Sequence, residues 1–192
     1  MTRARQVANF DPALFAADEV SGDKVSGGTI GAGTLGSGVT FPAGHVLQVV
    51  HARNNTTANT NTTTYTASGV TDNITVTSGN DILVTASIPF RMFADGSSTD
   101  WMTLRFKIYH STDDASYNDL TGVASDYYKD QAGNLPNDQW ISGTSYITYL
   151  HESVSGTSHY YKVYFNSGAQ GETVYVSTSG AYWTMTLMEI QS

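Results

Sequence analysis

With no cysteine, the chain has no thiolate nucleophile, disulfide or Cys-ligated metal, and its reactive side chains reduce to five histidines and 17 acidic residues. A zinc centre would have to draw on His45, His51, His110, His151 and His159. None of these shows the i, i+4 helical pairing or the neighbouring carboxylates that zinc proteins use. His45 and His51 share one face of a predicted strand, but six extended residues separate them by about 20 Å, too far to share an ion. Calcium would need clustered oxygens. Asp95–Asp100 and Asp113-Asp114 supply oxygens in loops, yet neither follows a calcium-loop pattern, so they read as turn aspartates.

Other catalytic patterns fail for similar reasons. Gly31-Ala32-Gly33-Thr34-Leu35-Gly36 matches a dinucleotide fingerprint in letters, but the Ser-Gly-Val-Thr-Phe-Pro that follows cannot open the helix the motif requires. No Gly-x-Ser-x-Gly elbow occurs. Glycosidase chemistry needs two carboxylates across a cleft, and Glu152, Glu172 and Glu189 fall on different predicted strands or turns. The sequence therefore points to no enzyme, no catalytic residue, no metal and no cofactor. Aromatic side chains are the remaining binding feature. Tyr117, Tyr127, Tyr128 and Trp140 cluster in or beside one long loop, where exposed rings would stack on sugars or anchor a partner. Packing against the domain itself, or against a neighbouring subunit, is the alternative.

The elements that would hold these residues are strands. Hydrophobic residues make up 40% of the chain, enough for a core, while charged residues reach only 14%. Thr and Tyr in place of Lys and Glu favour pleated strands over helices. Within 101–109, Met102, Leu104, Phe106 and Ile108 alternate with Thr103, Arg105 and Lys107, a period of two with one dry face. Ile82, Val84, Ala86, Ile88 and Phe90 repeat the pattern. Further strands are predicted at 46–52, 65–76, 145–151, 159–165, 173–176 and 182–190. Turn signals such as Ser78-Gly79-Asn80-Asp81 and Ser155-Gly156 separate several of them. About eight short strands without helical periods predict an all-β, antiparallel jelly-roll-like sandwich. Two loops interrupt it, at roughly 111–139 and at the Asn/Thr-rich 54–64, which reads as a hairpin tip or a polar strand edge.

Three regions follow: an arm at 1–20, a Gly-rich segment at 21–44 and a β-sandwich head at 45–192. Asp11 and Pro12 can cap and start a short helix through Ala17, too short to stand alone and so expected to dock. Residues 21–44 hold eight of the 18 glycines, with Val25, Ile30, Leu35 and Val39 spaced among them. Three chains wound together could bury those aliphatics; a flexible linker is the alternative. The net charge of −8 and nine scattered basic residues leave no stripe for nucleic acid or an anionic membrane surface. With no apolar run of membrane-spanning or signal-peptide length, the chain is expected to be made in a cytosol.

Several strand motifs carry a family likeness. They are Phe41-Pro42-Ala43-Gly44-His45-Val46-Leu47-Gln48-Val49-Val50 after the glycines, Ile74-Thr75-Val76 with Asp81-Ile82-Leu83-Val84, Tyr161-Lys162-Val163-Tyr164, and Met185-Thr186-Leu187-Met188-Glu189-Ile190. On these the C-terminal three-quarters resembles a family of tailed-bacteriophage virion proteins, common in marine phages. The motifs mark strands rather than a site. The resemblance implies trimeric β-heads fixed to the particle by an N-terminal arm, with Arg3, Arg5, Phe10, Leu14 and Phe15 docking on a capsid or tail protein. It also implies a virion location after synthesis in the host cytoplasm. The absence of a coiled-coil shaft favours a short fibre or a capsid decoration that touches host glycans. The competing expectations are a capsid cement protein that only stabilises the shell, and a free carbohydrate-binding module.

Overall fold

The structure, a computed structural model, describes residues 41–94, 101–120, 125–131, 139–168, 173–177 and 180–192. The predicted arm, most of the Gly-rich segment and the docking residues Arg3, Arg5, Phe10, Leu14 and Phe15 lie outside these residues. Phe41–Ser192 is one compact unit. Its strands are β1 (Val46–Asn54), β2 (Ala58–Thr60), β3 (Thr66–Thr75), β4 (Asp81–Ala94), β5 (Trp101–Ser111) and β6 (Asn118–Asp119). They continue with β7 (Ser125–Gln131), β8 (Gln139–His151), β9 (Ser158–Ser167), β10 (Thr173–Val176) and β11 (Trp183–Ile190). No described residue is helical.

Every ladder is antiparallel, and the main ones are nested in sequence. β1 pairs with β11, β3 with β9, β4 with β8 and β5 with β7. Further pairing of β4 with β11 and of β5 with β9 gathers these ribbons into two sheets. The first, sheet A, runs β1-β11-β4-β8; the second, sheet B, runs β3-β9-β5-β7. This double wrap is the jelly-roll sandwich that the alternating pattern predicts. The short strands are additions: β10 joins β4 to β2, and β6 extends β5.

The core follows from the period of two. β4 sends Ile82, Val84, Ala86, Ile88, Phe90 and Met92 inward, and β11 sends Trp183, Met185 and Leu187. Leu104, Phe106 and Ile108 of β5 meet them from the other sheet with Tyr161, Val163 and Phe165 of β9. Phe106 joins the layers, 6.5 Å from Phe90 and 6.4 Å from Phe165 between ring centroids. Phe90 lies opposite Gly143 in the ladder, where a Cβ would come within 2.8 Å of its ring.

The segment read as one long loop, 111–139, instead contains β6 and β7, and β8 begins at Gln139 rather than at 145. β7 reads Ser-Asp-Tyr-Tyr-Lys-Asp-Gln, with no apolar alternation to reveal it, and the first half of β8 carries Gly143 where an apolar side chain would have marked the strand. The 54–64 stretch contains β2, a polar edge strand.

Candidate functional site

The outward faces of the two sheets differ in chemistry. Sheet B carries charge held in pairs: the Lys107 ammonium binds Asp119, and that of Lys162 binds Asp114 at 3.1 Å. Such pairs suit a solvated surface. Sheet A presents a row in register across four strands, Val49 of β1, Met188 of β11, Leu83 of β4 and Leu150 of β8. The row is about 15 Å wide at the usual strand spacing. The next rows are His51, Thr186, Thr85 and Thr148, then Arg53, Thr184, Ser87 and Tyr146. Among the described outward positions of these four strands the acidic side chain is Asp81, at the sheet's end. In a chain of net charge −8 this is a depleted face. Few charges with Met, Arg and aromatics present is the composition of an interface core rather than of ordinary surface. Val49, Tyr146 and Leu150 are exposed, Tyr146 at 66%. Beside it, β8 pairs with β4 along one edge, and no described strand pairs with its other edge.

Trp140, 44% exposed, stands at the far end of this same face. Its ring packs on Phe93 at 4.8 Å and Tyr175 at 5.5 Å, and the Arg91 guanidinium lies 4.1 Å above it. Pro89, Arg91, Ser142, Gly143, Thr144 and Ala181 line a shallow open groove alongside. Tyr117 lies in the loop between β5 and β6, beside the other sheet. The Lys162 ammonium lies 4.1 Å from its ring, and its hydroxyl donates to Asp114. Tyr127 and Tyr128 lie on β7, Tyr128 opposite Leu104 and Tyr127 in the bulge that follows. The structure thus places the four aromatics on β7, on β8 and in the loop before β6, and Trp140 gains as neighbours Arg91, Phe93 and Tyr175, which sequence spacing did not suggest. The signal was the outward parity of β4 beyond Pro89.

The turn aspartates behave as turns. Asp113 accepts from the Ser111 hydroxyl and from the N–H groups of Ala115 and Ser116, which hold its carboxyl down at about 2. Asp95–Asp100 lie outside the described residues. Glu189 is buried at the end of the core. Burial would raise its pKa, but hydrogen bonds from Gln48, the Thr77 N–H and Asn80 outweigh it and hold the carboxyl below the usual range. These bonds fasten β11 to β1 and to the β3–β4 turn, which leaves Glu189 a structural carboxylate.

Three histidines come together although their sequence spacing gave no sign of it. His110 ends the inward series of β5, His151 that of β8, and His159 opens that of β9. Their ring centroids lie 4.7, 5.2 and 6.2 Å apart. His110 Nε2 is 2.9 Å from His159 Nδ1, and His151 Nδ1 is 2.9 Å from the Tyr161 hydroxyl. Burial lowers all three pKa values, and the charges of the neighbouring rings lower those of His110, to about 4, and His151 further. No group of three or more metal-ligating side chains with metal-holding geometry occurs among the described residues. The signal was available: each histidine continues an apolar alternation by one more step of two.

No protein-family model and no curated protein matches this chain. Among solved structures it is similar to the Gt strain of infectious bursal disease virus, at 11% identity and TM-score 0.35, over 83% of this chain and 40% of that one. For the Gx strain of that virus the figures are 10%, 0.34, 83% and 42%. For a mutant VP2 protein of infectious bursal disease virus in T=1 particles they are 12%, 0.34, 83% and 40%. The chain spans about two-fifths of the length of the chains it matches.

Proposed function

We propose that this chain is a non-enzymatic structural protein of a bacteriophage virion. In this reading three heads associate into a homotrimer. Arg3, Arg5, Phe10, Leu14 and Phe15 of the arm fix the trimer to a capsid or tail protein as a short fibre or decoration, and residues 21–44 connect arm to head. The observation that carries it is the outward face of sheet A, which has one apolar row in register across four strands and few carboxylates, beside the edge of β8 that no described strand covers. Such a face is costly to leave in water and suits burial against another copy or a particle neighbour. The jelly-roll fold and the resemblance of the strand motifs to those of phage virion proteins support the same reading. Tyr117, Tyr127, Tyr128 and Trp140 are the residues proposed to contact host glycans.

A cement role is the second reading, and one observation favours it. Arg91, Phe93 and Tyr175 already surround Trp140, which suits a side chain fixed for a protein contact better than one kept open for a sugar. A cement protein binds the assembled shell and stabilises it by mass action, so it raises the temperature at which capsids open. A glycan binder leaves that temperature unchanged and loses adsorption when Tyr127, Tyr128 or Trp140 becomes Ala. The proposal as a whole is tested by immunogold microscopy of purified particles with antibody against residues 45–192. Gold on the particle is expected; particles free of gold while the lysate retains the antigen would refute a virion role.

A further inference from the structure

The proposed function makes no use of the three clustered histidines, and their geometry points to a role that stands independently of it. We propose that His110, His151 and His159 form an acid-sensitive latch that holds the two sheets together at one end of the sandwich when neutral and releases that end when protonated. His151 belongs to sheet A, His110 and His159 to sheet B, so the cluster spans the layers. Both described crossings at this end meet there. The 152–157 loop carries the chain from β8 to β9, and the 76–80 turn carries it from β3 to β4. Three backbone hydrogen bonds lock the two segments: Val76 N–H to Thr157 at 2.8 Å, Gly79 N–H to Val154 at 2.8 Å and Val154 N–H to Asn80 at 3.0 Å, while Asn80 N–H to Thr77 at 3.2 Å closes the turn itself.

The hydrogen bonds fix how many protons the cluster can hold. His159 Nε2 lies 3.4 Å from the Gly156 carbonyl, which can only accept, so the proton of a neutral His159 belongs on Nε2. Its Nδ1 then accepts from the Nε2–H of His110 across 2.9 Å. The two planes are inclined by only 22°, with ring centroids 5.2 Å apart, so the rings meet nitrogen to nitrogen. One added proton fits on His110 Nδ1. A proton added to His159 Nδ1 sets two N–H groups against each other at hydrogen-bond distance and breaks the bond. With His110 so charged, a proton on His151 adds a second cation facing it at 4.7 Å.

Among the described residues no group facing the rings offsets such charge. From β9 the facing group is the Tyr161 phenol, and from β8 it is Tyr149, 6.4 Å from His151. β4 and β3 present Ile82 opposite His151 and Ile74 opposite His159, and β6 presents Asn118 opposite His110. The nearby carboxylates are engaged elsewhere. Asp113 is held by its own turn, Asp81 accepts from Ser153 and Ser192, and Glu189 accepts from Gln48, Thr77 and Asn80. Glu152 beside His151 is exposed to solvent. Among the described residues no hydrogen bond joins a carboxylate to any of the three rings. Imidazoles depressed by burial are neutral in the fold and take up protons on opening, so acid favours the opened form.

The test uses the full chain, with histidine ring signals followed by NMR from pH 8 to 4 and amide exchange measured over 152–157. Three of the five imidazoles are expected to remain neutral well below pH 6 and then to change together. Exchange in the loop, corrected for its intrinsic pH dependence, is expected to rise at least about tenfold between pH 7 and 4.5. In His110→Phe, which keeps a ring and removes the titrating group, the acid-induced fall in melting temperature should be at most about half that of the parent protein. Three rings titrating in the ordinary range with no change in loop exchange would overturn the latch, and so would an equal acid-induced fall in a folded His110→Phe protein. If the variant does not fold, the parent's titration and exchange decide the matter.

Discussion

Glu189 illustrates how one residue can be read as chemistry and used as structure. Its inward position in β11 follows from the alternation of Trp183, Met185 and Leu187, and three donors meet it there. Replacing it with Ala orphans the buried Asn80 amide and the Thr77 N–H, so Glu189→Ala is expected to cost about 2–4 kcal/mol in urea denaturation. The pH dependence has a definite sign. A carboxyl held below its unfolded value contributes stability that is present above about pH 4.5 and lost as pH falls through the folded pKa. The histidine contribution is lost higher, from about pH 6.5 downward, so His110→Phe should flatten the upper part of an acid-stability curve and Glu189→Gln the lower part. Gly143 is a second test at this scale. A methyl there meets the Phe90 ring at 2.8 Å, and Gly143→Ala is expected to cost about 1–3 kcal/mol, partly recovered by Phe90→Leu in the same chain. The histidines were legible only in part. Alternation alone turns each of them inward, but their meeting depends on which strands pair, and a sequence met alone does not state pairing.

The strands explain where reading by pattern succeeds and where it stops. β4, β5, β9 and β11 alternate apolar and polar residues because one face of each is buried, so their places were clear from residue types. β7 carries no such alternation in its sequence, and β8 hides its first half behind Gly143 and Ser145. The sheet A surface was illegible for a related reason. Val49, Met188, Leu83 and Leu150 come from four distant parts of the chain and form a row only once register is fixed. Leu150→Glu places a charge on that row at an exposed site. It should leave monomer stability within about 0.5 kcal/mol while weakening association at least about tenfold, as measured by sedimentation across a concentration series.

At the scale of the whole molecule, the head is a self-sufficient unit apart from the segment that precedes it. Phe41–Ser192 forms its own compact unit with a continuous core, so a protein lacking residues 1–40 is expected to melt cooperatively within about 3 °C of the full chain. The same truncation should abolish attachment to particles if the arm docks as proposed. The sandwich and its jelly-roll class were readable from strand number and spacing, whereas the assembly face, the open edge and the histidine cluster are products of topology. The central claim is that sheet A's outward face is buried between copies of this chain, and sedimentation velocity of the full chain at micromolar concentration tests it most directly. A species of three times the 20.6 kDa chain mass, reduced to monomer by Leu150→Glu, is the expected result. A monomer at every concentration, or a trimer indifferent to that substitution, would contradict it.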